Sequence, residues 1–178
     1  MSRVGKQLIA VPAGVEAKVD GQAVSIKGPL GTLSRIFPTA VTVSLSDGSL
    51  AAKPVKETNE FKAIWGTSGA HLRNMVAGVT KGFAKQLVLE GIGYKAALNG
   101  ETVVLNLGFS HDVKVPVPTG VKVKIEKGVL DITGADKEAV GQFAAKLRAL
   151  KPVEPYKGKG FRYSTEVVKR KQGKRTAA

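Results

Sequence analysis

The stretch Pro155-Tyr156-Lys157-Gly158-Lys159-Gly160-Phe161-Arg162-Tyr163 alternates cations, glycines and aromatic rings, with no apolar period that would bury it. Lys157, Lys159 and Arg162 supply charge for phosphates, while Tyr156, Phe161 and Tyr163 supply ring faces for stacking. Gly158 and Gly160 let another backbone come close. A folded nucleic acid satisfies all three features. From Lys151 to Ala178 nine lysines or arginines stand against two glutamates, a net +7 that is half of the whole-chain +14. Such composition also fits a solvated, disordered tail; the interleaved aromatics favour RNA contact instead.

Other chemistries are thinly provided for. The chain has no cysteine, hence no disulfide framework, thiolate zinc site or cysteine nucleophile, and with two histidines no histidine-based metal site is expected. His71 sits one place before the apolar Leu72 with no acid or serine at triad-like spacing, so it reads as a surface or boundary residue. Gly91-Ile92-Gly93-Tyr94-Lys95-Ala96 fits the dinucleotide fingerprint with alanine in its last place. That fingerprint opens a helix, whereas here Asn99-Gly100 and the strand-like Thr102 to Leu107 follow, so the glycines read as kinks or bulges. Gly28 and Gly31 flank Pro29 as in a turn, with no lysine-serine pair behind them to make a phosphate loop. Glu57, Glu60, Asp131 and Asp136 fall near turns and helix starts, where acids suit the backbone dipole, and none forms an acid-base pair. The expectation is a chain that is not an enzyme and uses no cofactor, metal or small-molecule substrate.

A pI near 10.1, with 28 cations against 14 acids, calls for a polyanionic partner. Membrane is the competing polyanion. No apolar run approaches a spanning length, and Met1-Ser2-Arg3-Val4-Gly5-Lys6 lacks the apolar stretch of a signal peptide, so a cytosolic chain with no membrane partner is expected.

The elements that would position the basic segment are written twice. Displaced by 106 positions, Val11-Pro12-Ala13-Gly14-Val15 falls on Val117-Pro118-Thr119-Gly120-Val121, and Lys18, Ile26 and Gly28 fall on Lys124, Ile132 and Gly134. Displaced by 75, Gly66, Ala70, Leu72 and Arg73 fall on Gly141, Ala145, Leu147 and Arg148. The two displacements imply an internal duplication whose first copy carries extra strands before its helix. Val15, Ala17 and Val19, like Val121, Val123 and Ile125, alternate with charged residues as half-buried strands do. Asp20-Gly21, Asp47-Gly48 and Asn99-Gly100 mark hairpin turns between such runs. Phe61, Ile64, Trp65, Ser68, Leu72, Met75, Val76 and Val79 recur at helical spacing, as do Val140, Phe143, Ala144, Leu147 and Leu150. Trp65 falls among the core positions of the first helix. Asp136 is a candidate cap for the second, and Pro152 stands just past its end. The fold class expected is α+β: two similar small domains, each an antiparallel sheet with one helix packed on it. Gly82 breaks the first helix, giving domains 1–82 and 83–155 and a basic extension 156–178.

With its opening Met1 to Lys6, Glu90-Gly91-Ile92-Gly93-Tyr94-Lys95-Ala96, Gly108-Phe109-Ser110-His111, Asp136-Lys137-Glu138 with Val140-Gly141-Gln142, and Pro155 to Tyr163, the chain resembles large-subunit ribosomal protein six over nearly its whole length. Leu8 and Asp112 stand where that family usually has proline, and no role is carried onto Ser110 and His111. The resemblance implies a structural ribosomal protein that binds large-subunit ribosomal RNA, chiefly through its C-terminal domain, near the sarcin-ricin loop and the base of the factor-binding stalk. Neighbouring ribosomal proteins are implied as further partners. The contact set it implies is Tyr156, Lys157, Gly158, Lys159, Gly160, Arg162 and Tyr163, with Lys169, Arg170, Lys171, Lys174 and Arg175 as phosphate contacts and Arg3 and Lys6 as further candidates. The alternative carried by composition alone is a free-standing RNA- or DNA-binding protein that works off the ribosome.

Overall fold

The computed structural model describes residues 4–46 and 48–173; Arg3, Lys174 and Arg175 lie outside the described residues. The chain divides into two compact units, one running to Phe83 and taking in Ala135–Lys137, the other comprising Ala84–Gly134 and the chain from Glu138 onward.

In the first unit the elements are β1 (Ile9–Ala10), β2 (Glu16–Asp20), β3 (Ala23–Gly28), β4 (Gly31–Ile36), β5 (Val41–Ser46), β6 (Ser49–Pro54) and the helix α1 (Asn59–Thr80). They form two sheets, β2-β3-β4 and β1-β6-β5. Val24, Ile26, Val41, Leu50, Leu72 and Val79 are fully buried and join strands to helix in one core. The Thr58 hydroxyl accepts the Phe61 N–H and starts α1, and the Lys81 N–H returns to the Ala77 carbonyl at its end. Trp65 is a core residue, its Nε1 donating to the Ala52 carbonyl at 2.6 Å.

The second unit holds β7 (Phe83–Glu90), β8 (Lys95–Asn99), β9 (Thr102–Asn106), β10 (Val113–Pro116), β11 (Val121–Glu126), β12 (Val129–Gly134), α2 (Lys137–Leu150) and β13 (Gly160–Tyr163). Its sheets are β11-β12-β7-β13 and β10-β9-β8. Leu87, Leu105, Leu107, Leu130, Ile132, Leu147 and Phe161 are all 0% exposed in its core. Each unit is thus α+β, with two small sheets to its helix where one was expected. Gly91 and Gly93 lie in the turn between β7 and β8, and no helix opens there.

Two hairpins form beside Asp20-Gly21 and Asn99-Gly100 but one residue later than expected: Asp20 pairs with Ala23 and Asn99 with Thr102, leaving Gly21-Gln22 and Gly100-Glu101 as the loops. A third joins Ser46 to Ser49, with Asp47 outside the described residues. A fourth went unsignalled: Glu126 pairs with Val129, leaving Lys127 and Gly128 as the loop, with φ 47° and 81°. A loop of two left-handed residues matches the twist of its strands, but lysine is an unusual residue in that conformation.

The duplication is permuted. Phe37 N–H donates to the Gln22 carbonyl at 2.8 Å, and Leu89 N–H donates to the Gly128 carbonyl at 2.8 Å. Gln22 and Gly128 are 106 residues apart but Phe37 and Leu89 only 52. So β7, β8 and β9 occupy the places of β4, β5 and β6, while β10, β11 and β12 occupy those of β1, β2 and β3. This corrects the expectation of extra strands in the first copy. The second copy holds the same strands ahead of its hairpin, and an ungapped comparison registers only segments that keep their order. Among the described residues β13 has no counterpart in the first unit.

Candidate nucleic-acid interface

The basic aromatic segment is built around β13. It pairs antiparallel with β7, setting Gly160 opposite Glu90, Phe161 opposite Leu89, Arg162 opposite Val88 and Tyr163 opposite Leu87. Phe161 N–H donates to the Lys151 carbonyl at 2.8 Å, which ties the strand to the end of α2. Gly160 stands at φ 128°, and a Cβ there would lie 2.6 Å from the Pro152 carbonyl oxygen and 2.7 Å from that of Lys151. Only glycine lets the strand pass so close to the chain that follows α2.

Two parts of the sequence reading are corrected here. Phe161 is a core side chain rather than a stacking face: it is 0% exposed, and Tyr163, two places on and on the same face of β13, is half-buried against the same core. Gly158 and Gly160 admit the protein's own chain, since a Cβ on Gly158 would meet the Arg170 guanidinium at 3.0 Å. The segment is therefore not a plain extension; a whole strand of it belongs to the second unit's sheet.

Charge is sorted by the same geometry. Arg162 binds Glu90 Oε1 through Nε at 3.1 Å and a terminal nitrogen at 2.5 Å, so part of its charge is already answered. Arg148 on α2 grips both oxygens of Glu166, at 3.1 and 2.6 Å, and Glu166 Oε2 also accepts the Tyr163 N–H at 3.2 Å. The Arg148 hydrogen bond, assisted by that backbone N–H, holds the Glu166 carboxyl below the usual glutamate range against an opposing effect of burial. Lys85 and Arg148 lie 5.7 and 5.6 Å from the centre of the half-buried Tyr163 ring.

What remains open forms a coherent row. Tyr156 is 59% exposed, and Lys157, Lys169, Arg170 and Lys171 are exposed, with Lys159 half-buried. Residues 169–171 fold back on it, because Lys171 N–H donates to the Pro155 carbonyl at 2.8 Å. Lys6 is exposed too, but it belongs to the first unit.

The family described as Ribosomal protein L6 matches residues 11–82 and 90–164. The large ribosomal subunit protein uL6 of Methylocella silvestris is 48% identical over 176 residues, 98% of this chain and 99% of that protein. Its namesakes in Methylobacterium sp. (strain 4-46) and Rhodopseudomonas palustris (strain BisA53) are 48% and 47% identical over the same shares. The chain belongs to the ribosomal protein L6 family. The second L6 match ends at Ser164, so β13 lies wholly inside the family's own span.

Sequence reasoning missed Lys85, Glu90, Arg148 and Glu166, which hold the segment in place from β7, α2 and the chain after β13. Nothing local marks them, since each acts on a residue far away in the chain. It also missed Phe109, 44% exposed, with Lys151 Nζ 5.0 Å from its ring centre; an aromatic among glycine and serine was the available signal. Among the described residues no group of histidine and acidic side chains could hold a metal ion, and no helix is long and apolar enough to cross a membrane.

Proposed function

We propose that the chain binds large-subunit ribosomal RNA chiefly through the second unit and its C-terminal segment, near the sarcin-ricin loop and the base of the factor-binding stalk. Membership of the L6 family makes it a structural constituent of the large ribosomal subunit in the cytoplasm, with ribosomal RNA and ribosomal proteins as its partners, and not an enzyme. The observation that supports the finer reading is the open row of Tyr156, Lys157, Lys169, Arg170 and Lys171 on a segment fixed by β13. A ring and four cations held on ordered backbone lose little entropy when they meet phosphates and an unstacked base. Lys159, Arg162 and Tyr163 border the row, and Gly158 and Gly160 shape its backbone. Lys174, Arg175, Arg3 and Lys6 are further phosphate contacts in this reading.

The test replaces Lys157, Lys169 and Lys171 together by alanine and measures binding to a large-subunit RNA fragment and sedimentation with the large subunit. Each charge-assisted contact contributes about 1.5 to 3 kcal/mol, so losing three should lower affinity by about a thousandfold or more, with the melting temperature unchanged. Undiminished affinity would refute this interface. A chain that binds many RNAs alike and sediments apart from the subunit would establish the free-standing alternative.

A further inference from the structure

β4 ends the sheet β2-β3-β4, and among the described residues no strand pairs with its outer side. Its counterpart β7 carries β13 on that side. The β3–β4 register runs from Ala23 opposite Ile36 to Gly28 opposite Gly31, and the Phe37 to Gln22 hydrogen bond continues it by one step. Backbone groups alternate in direction along an antiparallel strand, so Leu33 and Arg35 turn theirs toward β3 with Phe37, while Thr32, Ser34 and Ile36 turn theirs to the free edge. The same rule applied from Leu89 turns Gln86 and Val88 outward in the second unit, and there the Gln86 carbonyl accepts the Ser164 N–H at 3.1 Å. Ser34 lies 52 residues before Gln86, so its outward backbone is the counterpart of one that β13 and its continuation satisfy.

Side chains point the same way. Sheet edges are ordinarily guarded by charge or proline, and β2, the opposite edge of this sheet, exposes Glu16, Lys18 and Asp20. β4 exposes Thr32, Ser34 and Ile36 instead, with Ile36 80% exposed at one end and Leu30 54% exposed just before the other. One edge is guarded and the other is not.

We propose that the outer edge of β4 takes up an extended segment of a neighbouring ribosomal protein as a fourth strand, in the position β13 fills in the second unit. The inference rests on the ribosomal reading above, which supplies the neighbours. The occupant is a peptide without proline at its paired positions, with an apolar side chain beside Ile36 and small or polar ones beside Ser34 and Thr32. A protein strand fits better than RNA, because the edge offers alternating N–H and C=O groups and none of its three outward side chains is a cation.

The full chain carrying a benzoylphenylalanine photocrosslinker in place of Ile36, assembled into large subunits, tests this. Irradiation should join position 36 to another ribosomal protein, and the amides of Thr32, Ser34 and Ile36 should exchange at least about tenfold more slowly in the subunit than in the free chain. Ser34→Pro, with the crosslinker at 36, removes an outward N–H and no bond to β3; it should melt like the parent yet lose the crosslink, while Ser34→Ala keeps it. If Ser34→Pro fails to fold, Thr32→Lys charges the same edge and should likewise abolish the crosslink. Crosslinks to RNA or to a second copy of this chain, or none with unchanged exchange in subunits that contain the protein, would overturn the inference. A chain that never enters the subunit would overturn the ribosomal reading and this one with it.

Discussion

Phe161 and Tyr156, five places apart, differ sharply in burial, and the proposed interface gives a structural part to the first and RNA contact to the second. Phe161 is 0% exposed, so Phe161→Ala removes a buried ring and should cost about 3 to 5 kcal/mol in denaturant unfolding. Tyr156→Ala should leave stability within about 0.5 kcal/mol and weaken RNA binding by about 1 to 3 kcal/mol, the worth of one stacked base. Equal stability losses in the two variants would contradict the division. Glu166 adds a pH dependence. Its native carboxyl titrates below its unfolded value, so its stabilisation is complete above the ordinary glutamate range and is lost as pH falls through the lower native value. Glu166→Gln should therefore cost about 1 kcal/mol near pH 7 and almost nothing near pH 2. A deficit that is the same at both would show that charge has no part in the Arg148 grip.

At the scale of elements, legibility followed distance along the chain. Hairpins signalled by Asp20-Gly21 and Asn99-Gly100 and helices signalled by apolar spacing were readable because their causes lie within a few residues. β13 was not, since a four-residue strand acquires its identity from β7, with Arg162 paired to Val88 far upstream, and its two core-facing rings, Phe161 and Tyr163, are too few to establish a period. The permuted order escaped for a related reason: each displacement was visible, but only shared hydrogen-bond register shows that β7 stands where β4 does. The Lys127-Gly128 turn was hidden by its lysine. Lys127→Asn places a residue tolerant of left-handed backbone at φ 47° and should stabilise the chain by about 0.5 to 1 kcal/mol, read by melting. No gain would mean that the loop adjusts at no cost to suit lysine.

For the whole molecule, the proposed RNA interface turns on how many phosphates the C-terminal charge would neutralise. Half of the +14 excess lies after Leu150, yet Arg162 is paired with Glu90 and Lys171 N–H is tied to Pro155, so among the described residues this charge sits on a shaped surface. If about five cations release counterions, the logarithm of the RNA binding constant should fall against the logarithm of salt with a slope of about −4, a few hundredfold in affinity between about 50 and 200 mM. Truncation after Val168 removes Lys169, Arg170, Lys171, Lys174 and Arg175 and should bring the slope to about −1, because Lys157 and the half-buried Lys159 remain. It should also free the Pro155 carbonyl and the space beside Gly158 that Arg170 fills, loosening the loop that presents Tyr156. The truncated chain should consequently lose affinity even when both slopes are extrapolated to about 1 M salt, where counterion release contributes nothing. Titrations of intact and truncated chains against one ribosomal RNA fragment at several salt concentrations separate the two effects. Parallel slopes would mean that the final residues are a solvated tail, and slopes that differ but converge at high salt would mean that they supply charge without shaping the loop.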